Sequence, residues 1–182
     1  MDNGASSYHR FLNGDERGFA EIVKDYSQNL LYFINGFVGN ITIAEDLMED
    51  VFVDLIVYKN RFKGQSSFKT FIFAIARNKA VDYIRKHKHV NPLEDIALLE
   101  DITALEDAVL KAEKNKILAK ALRNIKSEHK AVLTLLYFED MSYDDIAKIL
   151  KKNNKQIKNM AYSARRALKA ALEKEGFTDE NL

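Results

Sequence analysis

The chain of 182 residues contains no cysteine and no tryptophan, one proline and seven glycines. Without cysteine there can be no disulfide framework and no thiolate metal site. The four histidines, His9, His87, His89 and His129, are scattered without ligand spacing, so no metal and no cofactor is expected. No nucleophile–base pair or phosphate-cradling glycine loop is present, which argues against an enzyme. No run approaches the roughly 18 apolar residues that a membrane helix needs. The opening "MDNGASSYHR" lacks the cationic start and apolar core of an export signal. A cytoplasmic protein without membrane insertion is the simplest expectation.

Hydrophobic residues make up 47% of the chain, enough to bury a core. With so few helix breakers, apolar residues recurring at three and four predict helices throughout, and no stretch alternates as a strand would. Pro92 forces Asn91 out of the helical region and marks a boundary. The expected fold is all-α, in two helical domains: residues 8–90 and 105–176, joined by a linker at 91–104.

Formal net charge is only +1, but the charge is segregated along the chain. Between Lys59 and Lys88 stand nine basic residues against Asp82 alone, and from Asn91 to Glu113 seven acids stand against Lys111. Lys151 to Lys169 is basic again, with no acid. Such blocks act locally, within about 10 Å at moderate salt, so a near-neutral total does not exclude a nucleic-acid partner.

In the first domain, a helix from about Asp15 to Gly39 carries Phe19, Ile22, Val23, Tyr26, Leu30, Phe33, Ile34 and Phe37 at helical spacing. A second helix is expected to open at Thr42, with Glu45 completing a capping box. It buries Leu47, Val51 and Leu55, flanked by Phe52 and Tyr58, and shows Glu45, Asp46, Glu49, Asp50 and Asp54 on its other side. The helix dipole accounts for Glu45 and Asp46 only, so a basic partner is favoured for the rest. A third helix, Ser67 to His87, carries a polar stripe of Asn78, Asp82, Arg85 and His89. That stripe suits base edges and phosphates, and equally suits an ordinary solvated face. Phe73 falls outside the main apolar stripe, near Lys69 and Arg77. Aromatics interleaved with cations suit single-stranded DNA, although packing against the first helix is the safer assignment for any one ring.

The second domain begins with a helix from about Leu105 to Ile125. A second, from Ser127, buries Ala131, Val132, Leu135 and Leu136. "MSYDDIAKIL" then repeats the capping pattern at Ser142 and Asp145, and Asn153 with Gln156 caps a last helix. A short helix, a tight turn and a longer helix have the spacing of a helix-turn-helix. Ile157, Ala161, Ala164, Leu168 and Leu172 face inward. Asn154, Lys155, Gln156, Lys158, Asn159, Tyr162, Arg165, Arg166 and Lys169 face outward, the first of them suited to base edges and the arginines to phosphates. Taken alone, this segment fits a DNA-reading motif or a solvated basic helix.

"AEDLMEDVFVDL", "RFKGQSSFKTFIFAIARNKAVDYIRKHK", "LTLLYFEDMSYDDIAKIL" and "IKNMAYSARRALKAAL" together resemble, in order and spacing, regions two and four of bacterial sigma-70 family factors. The small extracytoplasmic-function (ECF) class is the best match, and the likeness spans about Asp15 to Glu175. It implies a non-enzymatic subunit that directs core RNA polymerase to promoters. By that resemblance Asp46, Glu49 and Asp50 dock on the beta-prime clamp helices. Lys63, Ser66, Phe68, Lys69, Arg77, Asn78, Asp82, Arg85 and Lys86 recognise and melt the minus-ten region. The helix-turn-helix reads the minus-thirty-five element beside the beta flap, and the acidic linker threads toward the active-site channel. An anti-sigma factor is a further partner that the resemblance admits. The chain departs from the pattern in carrying Glu49 where Gln is frequent, Phe71 for Trp, Lys151 for the Gly of the turn, and Met160 and Ser163 for two recognition-helix arginines.

Overall fold

The computed structural model describes residues 3–59, 61–87 and 117–177, and all regular structure among them is helical. Four helices form an N-terminal group: α1 (Asn3–Leu12), α2 (Glu16–Val38), α3 (Ile41–Val57) and α4 (Phe68–His87). A second group comprises α5 (residues 117–123), α6 (Ser127–Leu133) running into a π-helical turn (Thr134–Phe138), α7 (Tyr143–Leu150) and α8 (Asn154–Lys174). Pro92, His89, the linker at 91–104 and the first half of the helix expected from Leu105 lie outside the described residues.

Helix α1 is absent from the sequence expectation because Asn3, Gly4, Ser6 and Ser7 are poor helix formers. Tertiary packing overrides propensity here. Tyr8 is fully buried, and its hydroxyl donates to the carbonyls of Lys59 (2.9 Å) and Leu55 (3.3 Å), which holds α1 against the end of α3. Gly4 is required by close approach: an added Cβ would lie 2.4 Å from the Tyr26 hydroxyl and 2.7 Å from Phe68. Arg10 and Ser7 both hydrogen-bond the Glu21 carboxylate and tie α1 to α2.

Helix α2 starts at the Asp15 cap and stops at Gly39, whose φ of 71° is left-handed. That turn leaves Asn40 extended, so the Asn40 side chain, not Thr42, caps α3 by accepting from the Ile43 N–H at 3.1 Å. The capping box expected at Thr42 is therefore not formed; Thr42 already lies inside the helix. Tyr58 is also displaced from its expected place: it is 49% exposed, with the Arg61 guanidinium 4.5 Å over its ring.

Helix α4 packs against α1, α2 and α3 and, on another side, against α7. Burial from two directions widens its apolar face, and Phe73 is fully enclosed, its ring 5.1 Å from Phe33. Phe73 is a core residue and not a stacking platform. Phe68 sits at the centre of an aromatic cluster, with ring centroids 5.2 Å from Tyr8, 5.7 Å from Tyr26 and 5.4 Å from Phe62.

Candidate nucleic-acid and polymerase interfaces

The acidic face of α3 is assembled by simple helix geometry. Asp46, Asp50, Val53 and Val57 follow one another at steps of three and four, Glu49 stands beside Asp50 and three after Asp46, and all five are exposed. Asp54 is held inward, 3.1 Å from Lys79 Nζ, with Arg61 at 3.7 Å. Asp54 is thus a structural ion pair, while Asp46, Glu49 and Asp50 remain outward. Val53 (51% exposed) and Val57 (61%) extend the acids into a mixed acidic and apolar strip. The sequence signal for it was Val53, Ile56 and Val57 standing off the buried Leu47–Val51–Leu55 stripe.

On the basic helix and the loop before it, the expected residues separate by environment. Lys63 and Lys86 are exposed, and Ser66 is half-buried with its hydroxyl donating to the Ser67 carbonyl at 3.2 Å. Phe68 has no exposed surface and so cannot meet a base; it is the hub of the aromatic core. Lys69 is engaged by Glu139 of the second group, through a carboxylate contact at 2.7 Å and a bond to its carbonyl at 2.8 Å. Arg77 and Asn78 are half-buried neighbours, the guanidinium 3.4 Å from the amide oxygen. Asp82 and Arg85 pair across one turn at 3.1 Å. Arg77 and Arg85 also border a cavity of about 290 Å³ that Glu128 and Leu150 help to line.

The helix-turn-helix is locked by its caps. Ser142 accepts from the Asp145 N–H at 3.1 Å to start α7. Asn153 and Gln156 form the reciprocal box, at 2.8 and 2.9 Å, that starts α8. Between them Lys151 takes φ 54°, ψ 48°, the left-handed conformation for which glycine is the usual residue. Ile157, Ala161 and Ala164 are fully buried, which fixes the opposite face outward.

Along that face Lys155, Lys158, Asn159 and Tyr162 are exposed. Asn154 is half-buried, its amide donating to the Asp144 carboxylate. The Gln156 side chain is committed to the cap. Arg165 donates to the hydroxyls of Tyr137 (2.6 Å) and Tyr143 (3.3 Å), bonds that push its pKa further above the usual arginine value. Arg166 lies 5.9 Å over the Tyr162 ring. The tyrosine brace on Arg165 was missed because Tyr137 stands 28 residues earlier and off the inward stripe.

Comparison with known proteins covers both helical groups. Residues 22–90 match the model for Sigma-70 region 2, and residues 115–168 the model for Sigma-70, region 4. RNA polymerase sigma-H factor of Pseudomonas aeruginosa is 27% identical over 175 residues, covering 90% of this chain and 91% of that protein. ECF RNA polymerase sigma factor SigW of Bacillus subtilis is 27% identical over 170 residues, covering 87% and 91%. Among solved structures, the sigma factor RpoE in complex with the anti-sigma factor NepR from Bartonella quintana aligns with a TM-score of 0.70 at 22% identity, over 85% of this chain and 96% of that one. CnrH in complex with the cytosolic domain of CnrY aligns with a TM-score of 0.62 at 22% identity, over 94% and 95%. With regions two and four matched in order over residues 22–90 and 115–168, the chain belongs to the sigma-70 family of RNA polymerase sigma factors, in the extracytoplasmic-function class.

Proposed function

We propose that the protein is the promoter-specificity subunit of RNA polymerase in its cell: a non-enzymatic, cytoplasmic factor that binds core polymerase and brings it to a defined set of promoters. The observation that carries this is the presence, in one chain, of three differently built surfaces. They are an outward acidic and apolar strip on α3, a basic helix α4, and a capped helix-turn-helix whose α8 faces outward.

Each surface has a role that its chemistry supports. Asp46, Glu49 and Asp50, extended by Val53 and Val57, suit a basic, partly apolar helical partner, the clamp helices of the beta-prime subunit. Lys63, Arg77, Asn78, Asp82, Arg85 and Lys86 suit the minus-ten element, with cations for phosphates and polar groups for unstacked bases. Lys155, Lys158 and Asn159 suit major-groove base edges, and Arg166 suits phosphate. Domains at 8–90 and 105–176 correspond to these two DNA-reading tasks, with the beta flap as the neighbour of the second. An anti-sigma factor is a further proposed partner, since one of the similar solved structures is of a sigma factor in complex with an anti-sigma factor.

A second version, a polymerase-bound factor with little minus-thirty-five reading, is favoured by one set of observations. Asn154, Gln156 and Arg165 are already engaged within the protein, and Met160 and Ser163 carry no charge. Co-purification with core polymerase, followed by footprinting of the bound promoter, separates the two. Protection at both elements supports the full role, and protection at the downstream element alone supports the second.

A further inference from the structure

A half-open cavity of about 290 Å³ lies where α2, α4, α6 and α7 meet. Packed interiors leave few voids larger than a water molecule, and this one has the volume of roughly ten waters at about 30 Å³ each. Helix α4 contributes Arg77, Val81, Ile84 and Arg85, whose spacing keeps them on one helix face. Phe37 of α2 and Leu150 of α7 add to the apolar part of the lining, and Ser127 and Glu128 of α6 add polar groups. Apolar walls with a few polar groups are the make-up of a small-molecule site.

The charges around the cavity do not balance. Asp82 pairs with Arg85 at 3.1 Å, and Lys152 lies 3.4 Å from Glu128. Arg77 is the cation left over: it is half-buried, its hydrogen bond goes to the uncharged Asn78 amide at 3.4 Å, and no carboxylate pairs with it among the described residues. A guanidinium partly withdrawn from water without an anion carries a desolvation cost that an incoming anion offsets. Its planar fork matches a carboxylate, which it can hold through two parallel bonds. With one unbalanced cation the site takes one negative charge, and Glu128 on the same lining opposes a second.

We propose that this cavity binds a small amphipathic monocarboxylate, with the head group on Arg77 and the hydrocarbon against Phe37, Val81, Ile84 and Leu150. A volume of roughly ten waters corresponds to about ten non-hydrogen atoms, those of an eight-carbon fatty acid. A phosphate monoester carries more charge at neutral pH and meets Glu128, so a carboxylate is the head group that fits. Arg77 is also among the residues assigned above to minus-ten DNA, so ligand and DNA compete for it. That consequence rests on the function proposed above; the site itself does not.

Calorimetric titration of the full-length protein alone with octanoate, kept below micelle formation, tests the site. Octanoate binds one to one and saturably. Butanoate, which lacks the chain, octan-1-ol and octylamine, which lack the anion, and octyl phosphate all bind more weakly. Arg77→Gln weakens octanoate by about tenfold or more, the worth of a charge-assisted hydrogen bond, and leaves the helical spectrum in place. Val81→Phe, which fills the cavity, removes binding, whereas Lys24→Gln, an exposed charge change on α2, does not alter it.

The absence of saturable octanoate binding overturns the site, and that measurement needs no variant to fold. Equal binding of octan-1-ol, or an Arg77→Gln affinity equal to that of the unmutated protein, overturns the role of Arg77, and tighter binding of octyl phosphate overturns the carboxylate. Should Val81→Phe lose its helical spectrum, the Arg77→Gln comparison still decides. Competition is scored separately: saturating octanoate weakens binding of a mixed-sequence single-stranded oligonucleotide to the unmutated protein and not to Arg77→Gln, and an unchanged affinity overturns it. Neither polymerase nor DNA enters the octanoate titration, so failure of the proposed function and failure of the site are told apart.

Discussion

At the scale of single residues, three positions separate structural from functional duty. Phe68 is among the residues that the resemblance gives to minus-ten DNA, yet it is enclosed by Tyr8, Tyr26 and Phe62. Phe68→Ala should therefore destabilise the fold by about 3–5 kcal/mol, as removal of a buried ring does. Thermal unfolding checks this; an unchanged midpoint would return Phe68 to the DNA surface. Lys151 holds a left-handed conformation at φ 54°. Lys151→Gly should raise stability by roughly 0.5–1 kcal/mol in denaturant titration, because the side chain, and not the turn, is the strained element. Glu21 is held below its ordinary value of 4.5 by hydrogen bonds from Arg10 and then from Ser7. A depressed carboxylate contributes its full stabilisation above the unfolded value and loses it as pH falls through the folded one. Backbone amides of α1 should consequently lose exchange protection below pH 4.5 before those of the α2 core, and Glu21→Gln should remove that acid sensitivity.

At the scale of elements, sequence periodicity was sufficient wherever a helix buries one face. Helices α2, α7 and α8 begin and end close to their expected limits because Asp15, Ser142 and Asn153 cap them and Gly39 stops one of them. The misses have separate physical causes. Helix α1 exists through Tyr8 and the close approach at Gly4, contacts made to residues distant in sequence. Phe73 stands off the main apolar stripe of α4, yet its ring packs on Phe33 of α2, the safer of the two assignments the sequence left for it. The cap of α3 moved from Thr42 to Asn40 because the left-handed Gly39 places Asn40 extended at the helix mouth. Of the candidate surfaces, the acids of α3 were legible as a polar stripe, but the Lys69–Glu139 pair spans 70 positions and could not be read from spacing. Asp46→Lys with Asp50→Lys should reduce co-purification with core polymerase to background while leaving the helical spectrum and melting curve unchanged, since both residues are exposed. Retained binding would remove α3 as the docking element.

At the scale of the molecule, charge order along the chain and contact between the two helical groups belong together. Region two brings an acidic strip and a basic helix on adjacent elements, and region four supplies a second basic helix held outward by a small-residue core of Ala161 and Ala164. The most direct measurement is run-off transcription from a promoter library using purified core polymerase with and without this protein. Discrete transcripts that share a two-part upstream sequence, and that appear only when both components are present, are the expected result. Failure to bind core, together with a shift of duplex DNA by the protein alone as a dimer, would contradict it.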